Sequence, residues 1–236
     1  MKTVIVIPTY NEKQNIARLI PIIFNTVKEN LEIIVVDDNS PDNTSQIVID
    51  WQTIYPDSIH LIKREKKLGL GSAYIAGFKK ALEIGAGLIM EMDADFSHNP
   101  KDIPKLIDAC REDADLSIGS RKIPDGKIEG WGWYRKLMSN GAMFLARLIL
   151  NLKTRDVTSG FRCYKRKVLE NIGIEKITSN GYAFQEELVY RTEKAGFVIK
   201  EIPVTFVDRK IGKSKLSTKD ILEFFITIVR LKLKNP

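Results

Sequence analysis

The sequence predicts an α/β protein with a mostly parallel central sheet and helices on both faces. Three observations carry that prediction. Short apolar, β-branched runs recur through the first 120 residues, and segments with helical apolar spacing separate them. Clusters of Pro, Gly, Asn, Asp and Ser punctuate the junctions. Alternation of this kind builds parallel strands with helical crossovers that cover both faces.

Thr3–Ile7 reads as the first strand, broken by Pro8-Thr9-Tyr10-Asn11-Glu12. Ile16, Leu19, Ile20, Ile23, Phe24 and Val27 then follow at helical spacing. Glu32–Val36 is a second buried strand ending in Asp37-Asp38. The turn Asn39-Ser40-Pro41-Asp42-Asn43 leads into a helix reaching about Tyr55, with Thr44 or Ser45 as its cap. Ser58–Ile62 is a short third strand, and Gly69-Leu70-Gly71-Ser72 opens a third helix. Leu88–Pro100 begins as an apolar strand. A helix over Lys101–Glu112 and the strand Asp115–Gly119 complete the regular part, which stops after Arg121. Beyond it lie a loop over Ile123–Trp133, an apolar helix over Tyr134–Leu152 and a small strand or turn over Ser159–Tyr164. A short helix after Lys165, a helix near Phe184–Lys194, a strand over Val198–Val207 and a basic loop over Asp208–Leu216 follow. The tail Ile221–Leu233 is apolar nearly all round, yet too short to span a bilayer and interrupted by Glu223, Arg230 and Lys232. The expected division is a main domain over 1–217 and a tail helix over 218–236.

The net charge of +7 is unevenly spread. Residues 1–120 carry 13 Lys and Arg against 18 acids, whereas 121–167 carry 12 against 3. A compact basic block after an acidic half suits a surface that meets anions: nucleic acid, anionic lipid headgroups or phosphorylated substrates. The ordinary alternative is a solvated lysine-rich face. A nucleic-acid partner would explain the basic block but not the acids at the strand ends, so none is expected. Cys110 and Cys163 have no metal-ligand spacing, and the N-terminus has no secretory signal, which together point to a reducing cytosolic setting.

In LIMEMDADFSHNP, Asp93 and Asp95 lie one residue apart at the end of an apolar run. Residues i and i+2 of an extended chain point the same way, so the two acids can converge on one cation. Oxygen-only ligands suit Mg²⁺ or Mn²⁺, which share their shells with substrate phosphates. Taken alone, the pair could equally be a solvated loop. Open α/β sheets bind ligands beyond the carboxyl ends of their strands. Glu12, Asp38, Asp93 and Asp95 all lie just past predicted strand ends and should gather along one edge. Gly69-Leu70-Gly71 fails both the dinucleotide and the Walker spacings. It reads as a tight turn letting the backbone approach a ligand. His60 and His98 are the only histidines, and His98 beside the acids reads first as a packing or capping residue.

The ordered segments VIPTYNE, VVDDNSPDNT, LGLGSAYIAGF, MDADFSHNP, GSR, GWGWYRKLMSNGA, TSGFRCYKR and FVDRKIGKSKL resemble the polyprenol-phosphate (dolichol-phosphate) mannosyltransferases of glycosyltransferase family 2. The resemblance runs from Val4 to about Leu216. It implies a GT-A fold with a Rossmann-like nucleotide-binding half and amphipathic interface helices. It also implies transfer of mannose from GDP-mannose to a polyprenyl phosphate, inverting and dependent on Mg²⁺ or Mn²⁺. Pro8, Tyr10, Glu12, Val36 and Asp38 would hold the nucleoside. Asp93, Ala94 and Asp95 would meet the diphosphate and metal, with Asp95 the main ligand. Arg121, Arg209 and Lys215 would face phosphates. Arg121, Arg135 and Ser139 would receive the acceptor phosphate, and Asp93, Asp95 and Arg121 would be the catalytic set. Asn39 and Asn43 replace glycines of the family pattern, which a left-handed backbone tolerates. Ser97 stands where some relatives place a metal-binding Gln.

An acceptor that is already an anion near neutral pH needs no general base, in keeping with the scarcity of histidine. The competing readings are a UDP-glucose donor, a hydroxyl acceptor with Glu186 or Glu187 as base, and a non-catalytic nucleotide-sugar-binding subunit. A polyprenyl phosphate implies a membrane partner. The helix Tyr134–Leu152 and the tail, both flanked by cations, could lie in the interface or simply pack on the core. The expected location is the cytoplasmic face of a membrane, with a membrane-anchoring subunit as a further candidate partner.

Overall fold

The computed structural model describes residues 1–28, 30–179, 181–208 and 218–234. Its elements in order are β1 (Thr3–Thr9), α1 (Lys13–Thr26), β2 (Leu31–Asp37), α2 (Thr44–Ile54), β3 (Ile59–Lys63), α3 (Leu70–Glu83) and β4 (Leu88–Glu91). A 3-10 turn at Pro100–Asp102 leads into α4 (Ile103–Glu112). There follow β5 (Leu116–Ser120), β6 (Lys127–Glu129), α5 (Trp133–Leu150), β7 (Arg162–Lys165), α6 (Arg166–Asn171), α7 (Gly181–Lys194), β8 (Ile199–Pro203), β9 (Thr205–Val207) and α8 (Thr218–Lys234).

The main sheet has the order β3-β2-β1-β4-β7-β5-β8, and β7 alone runs antiparallel to its neighbours. The predicted α/β class is therefore the observed one. Successive strand residues feed opposite faces, as the period of two requires. Val4, Val6, Ile34 and Val36 pack with Tyr74 and Phe78 of α3, Met143 of α5, Phe184 of α7 and Phe224 of α8. Ile5, Ile7, Ile33 and Val35 pack with Ile16 and Leu19 of α1, Val48 of α2 and Leu106 of α4. Fully burying one such aliphatic side chain contributes about 1.5–3 kcal/mol, so strands apolar on both faces sit at the centre of the stability.

Two segments depart from expectation. The predicted loop before α5 contains β6, which pairs with β9 in a small second sheet. The predicted strand Val198–Val207 divides at Val204: β8 joins the main sheet, and β9 leaves it for β6. The small strand expected near Ser159–Tyr164 is β7, inserted between β4 and β5. Its Arg162 lies in register with Glu91, and both are wholly buried. Tyr164 donates to Glu91 at 2.8 Å and Gln185 to the other carboxylate oxygen at 2.5 Å. Burial raises the Glu91 pKa to about 7, and the Arg162 charge opposes that rise.

The α5 and α8 helices are amphipathic. Met143, Ala146 and Leu150 of α5 and Phe224, Ile228 and Leu231 of α8 join the core. Trp133, Tyr134, Leu137, Met138, Phe144 and Leu148 of α5 and Leu222, Ile226 and Val229 of α8 are each more than half exposed. Among the described residues, no helix is long and apolar enough to cross a membrane.

Candidate active site

Because β1, β2 and β4 are parallel and adjacent, their carboxyl ends form one edge, and the acids predicted to gather there do so. The first two junctions are stitched together. Consecutive backbone N–H groups of Asn11, Glu12 and Lys13 donate to Ser40 Oγ (2.9 Å), Thr44 Oγ1 (3.0 Å) and Asp42 Oδ2 (3.1 Å). The start of α1 is thus capped by side chains of the second junction, which accounts for the Ser, Asp and Thr spacing there. Asn39 and Asn43 take the left-handed backbone their amides tolerate, with φ of 56° and 65°. Asn43, rather than Thr44 or Ser45, is the residue before the first turn of α2.

The two adjacent aspartates have different duties. Asp37 is wholly buried and braces the turn, accepting from Thr9 Oγ1 (3.0 Å), Ser45 Oγ (2.7 Å) and Ser40 N–H (3.0 Å). Asp38 is ion-paired with Arg64, which also donates to Ser72 Oγ at 2.6 Å. Sequence reasoning missed Arg64. Tyr10 lies under the Lys67 ammonium, 4.8 Å from the ring centroid, and Glu12 accepts from Asn15 Nδ2 at 2.7 Å. Pro8 is half-buried, whereas Val36 is wholly within the core, so its side chain is not available to a ligand. The Gly71 turn approaches α7 instead of a ligand. A Cβ there would meet Ser179 O at 2.6 Å and the Phe184 ring at 2.9 Å.

The segment Met92–Asn99 is a compact turn, with Phe96 at φ 62°, rather than an extension of β4. Hydrogen bonds orient its acids. Asp93 Oδ1 accepts from Tyr74 Oη at 3.2 Å, and Asp95 Oδ1 accepts from the Ser97 N–H at 3.0 Å. His98 is buried, stacked on Phe161 at 4.9 Å, and its Nδ1 accepts from the Asp93 N–H at 3.2 Å. The expected packing-and-capping role of His98 is what its contacts describe. Burial pushes the imidazole below its usual pKa, Asp93, Asp95 and Asp156 oppose that shift, and Arg121 adds to it. His98 also meets the Phe206 ring edge-on at 6.1 Å, and Arg121 stands over that same ring, so the acid-bearing turn and Arg121 share a neighbourhood. Ala94 is buried between the two acids.

Arg121 is held in a fork by Asp156, at 2.7 Å from both Nε and Nη2, and Nη2 also reaches Thr158 Oγ1 at 3.0 Å. The Arg121 charge holds the buried Asp156 carboxyl below its usual pKa despite the desolvation. The guanidinium stands 5.3 Å over Phe206 and 6.0 Å over Trp131, and Arg135 stands 4.0 Å over Trp131. Arg135 is also paired with Asp208 at 3.0 Å. Ser139 is half-buried on α5. Arg209 and Lys215 lie outside the described residues.

Beside Arg121 opens a groove of about 700 Å³ between the segment after β5 and one stripe of α5. Lys122, Lys136, Arg147 and Arg155 line it with Arg121, alongside Asn140 and Phe144. Among the described residues, none lining it is acidic. Lys122 bonds Asn140 at 2.6 Å, and burial, then Arg121 and Lys136, lower its pKa. Such a cluster of like charges favours a bound anion. Sequence reasoning placed the block here and picked out Arg121, but not Lys122, Lys136, Arg147 or Arg155.

Glu186 and Glu187 are both buried, which rules out their being surface acids. Glu187 accepts from Ser179 Oγ (2.7 Å) and pairs with Arg191 (2.7 Å) and Arg230 of α8 (3.1 Å). Neither carboxylate oxygen of Glu186 has a hydrogen-bond partner among the described residues. Burial and the Glu187 charge raise its pKa to about 9. Among the described residues, no three of the His, Cys, Asp and Glu side chains converge to hold an ion by themselves.

The family model for glycosyl transferase family 2 matches residues 4–173. The chain is 40% identical to a polyprenol monophosphomannose synthase of Mycolicibacterium smegmatis, over 99% of this chain and 88% of that protein. It is 40% identical to an undecaprenyl-phosphate mannosyltransferase of Micrococcus luteus, over 98% and 93% of the two chains. Glucosyl-3-phosphoglycerate synthase of Mycobacterium tuberculosis, in complex with Mn²⁺, UDP and glucosyl-3-phosphoglycerate, has a similar fold. Its TM-score is 0.70 at 19% identity, covering 98% of this chain and 79% of that one. The same enzyme with Mg²⁺ and UDP gives 0.71 at 19%, with the same coverage. Strand order, acids at the strand ends and sequence likeness over nearly the whole chain agree: the protein is a glycosyltransferase and belongs to glycosyltransferase family 2.

Proposed function

We propose that the chain transfers mannose from GDP-mannose to the phosphate of a polyprenyl phosphate, with inversion. The observation that carries this reading is the juxtaposition of an acid-lined strand edge with a cation-lined groove through Arg121. The mannosyl and polyprenyl specificities are those named for the two 40% identical relatives.

Asp93 and Asp95 suit a divalent ion of the Mg²⁺ or Mn²⁺ kind. Both offer oxygen donors on one turn, and an ion of this type needs only one or two carboxylates when it shares its shell with substrate phosphates. Such an ion supplies positive charge to the diphosphate as the donor bond breaks. Tyr10, Glu12, Asp38 and the Pro8 backbone line the nucleoside side of the edge, and Arg209 and Lys215 are further phosphate partners. The acceptor phosphate lies at Arg121, flanked by Arg135 and Ser139 on one side and by Lys122, Lys136 and Asn140 on the other. One of its oxygens attacks the anomeric carbon from the face opposite the diphosphate. The new C–O bond forms as the old one breaks, and the electron pair leaves on the diphosphate oxygen. Asp156 keeps the Arg121 fork in place while the anions approach.

No proton has to be removed from an acceptor that is already ionised, its second pKa being about 6. The surroundings of the two glutamates favour this over a hydroxyl acceptor. Glu187 is neutralised by two arginines, and Glu186 is protonated at neutral pH, so neither is poised as a base. The apolar faces of α5 and α8, beside the basic groove, would seat the protein on the cytoplasmic surface of a membrane, with residues 218–236 as an interface helix appended to a catalytic domain over 1–217.

The test is incubation with labelled GDP-mannose or UDP-glucose, polyprenyl phosphate and Mn²⁺ or Mg²⁺, with Asp95→Ala beside wild type. The expected result is a labelled lipid from GDP-mannose and a loss of roughly three orders of magnitude in the variant. A lipid product made by Asp95→Ala at the wild-type rate would remove the proposal.

A further inference from the structure

Tyr74 is wholly buried, in the middle of α3, with its ring parallel to that of Phe184 at 6.0 Å and 2° and packed on Phe78 at 5.9 Å. Everything about the ring is satisfied by aromatic packing. A phenylalanine would fill the same space, and a buried hydroxyl costs free energy unless it is hydrogen-bonded. The hydroxyl is therefore to be explained by its partner, Asp93 Oδ1 at 3.2 Å.

Asp93 needs such a donor because it has left the sheet. The β4 ladder ends at Glu91, and beyond it the turn is tied to neighbouring strands at Met92, whose N–H donates to Val6 O, and at Ser97, whose O accepts from the Val207 N–H, which leaves the Asp93 carboxylate to be fixed by a side chain. His98 fixes its main chain through the Asp93 N–H, and Tyr74 fixes its carboxylate. Tyr74 cannot drift, because α7 closes over its helix. At Gly71 there is no room even for a Cβ against Ser179 O, and Phe184 covers the ring. A hydrogen bond to one oxygen sets the orientation of the whole carboxylate, and removing such supporting hydrogen bonds typically costs about 10–100-fold in metal affinity.

We propose that Tyr74 is a positioning residue for the cation–diphosphate site, orienting Asp93 through its hydroxyl. This rests on the assignment of Asp93 and Asp95 to that site, and the two can be separated experimentally. Mn²⁺ binding in the presence of GDP is measured by the electron paramagnetic resonance of free Mn²⁺ for wild type, Tyr74→Phe and Asp95→Ala, with thermal melts alongside. The expected result is loss of binding in Asp95→Ala and an affinity about 10–100-fold weaker in Tyr74→Phe, with a melting temperature close to wild type. In turnover assays the Mn²⁺ requirement of Tyr74→Phe rises, and the rate at saturating Mn²⁺ is regained. Wild-type Mn²⁺ affinity in Tyr74→Phe, with Asp95→Ala still unable to bind, would overturn the role of Tyr74 alone. Wild-type affinity in Asp95→Ala would overturn the site assignment and this inference together.

Discussion

The edge at the ends of β1, β2 and β4 and the surface formed by α5, α8 and the segment after β5 are built on opposite plans. At the edge, Asp37, Asp38, Asp42, Asp93 and Asp95 each accept from a named protein donor, and the strands that carry them are buried on both faces. On the other surface, cations crowd a groove with no acid among its described lining residues, and two helices expose apolar side chains. The first region is preorganised before any ligand arrives, whereas the second keeps like charges together and leaves apolar area open. That contrast fits the substrates proposed for each region. A small, highly charged donor suits a fixed constellation, and an anion carrying an apolar chain suits a cationic groove beside an apolar face.

The contrast breaks most decisively at Asp156, the buried carboxylate that anchors the basic side. Asp156→Ala leaves Arg121 buried without its fork and should cost about 3–5 kcal/mol of stability, measured by denaturant unfolding. A cost near zero would mean that Arg121 is held by other groups. Paired substitution of Lys136→Gln and Arg147→Gln should raise the KM for polyprenyl phosphate about 10-fold, with the KM for GDP-mannose unchanged, and should flatten the salt dependence of the acceptor term. Equal effects on both substrates would erase the division between the regions. Replacing Leu137, Met138 and Leu148 by Ser should weaken sedimentation with anionic vesicles several-fold without changing the fold. Unchanged sedimentation would assign those faces to something other than lipid.

At Glu186 the expected effect depends on pH. Its folded pKa, about 9, lies above its unfolded value, so the native state binds the extra proton. Its contribution is therefore most favourable below about pH 4.5 and is lost progressively as pH rises toward 9. Glu186→Gln should match wild type in thermal melts at pH 5 and exceed it at pH 8.5. A gap that is the same at both pH values would contradict the buried, protonated state.

Much of this was legible in the sequence because its signals are local. Apolar runs bounded by turn residues located the strands, and parallel topology then put Glu12, Asp38, Asp93 and Asp95 on one edge. What was not legible depends on residues distant in the chain. Arg64 and Asp38, or Arg121 and Asp156, meet only after folding, and nothing in either local segment announces the partner. The Gly71 turn looked like a ligand approach because a glycine before a helix has the same appearance whatever comes close. Here what comes close is Ser179 and Phe184, from more than a hundred residues away. Glu186 and Glu187 could be read as a candidate base, as surface acids or as sugar-binding groups, although the flanking Ala183, Phe184, Leu188 and Val189 are a sign of burial all round α7. The antiparallel insertion of β7 had no local signature beyond a short strand.

The central claim is that the sugar is joined to a phosphate oxygen without a general base. It is tested most directly by the carbon-13 spectrum of the lipid product made from GDP-mannose labelled with carbon-13 at C1. The account predicts that the labelled carbon is split by coupling to phosphorus, both in the wild-type product and in that of Glu186→Gln formed at a comparable rate. A labelled carbon with no phosphorus coupling, or a product lost in Glu186→Gln while the protein remains folded, would contradict it.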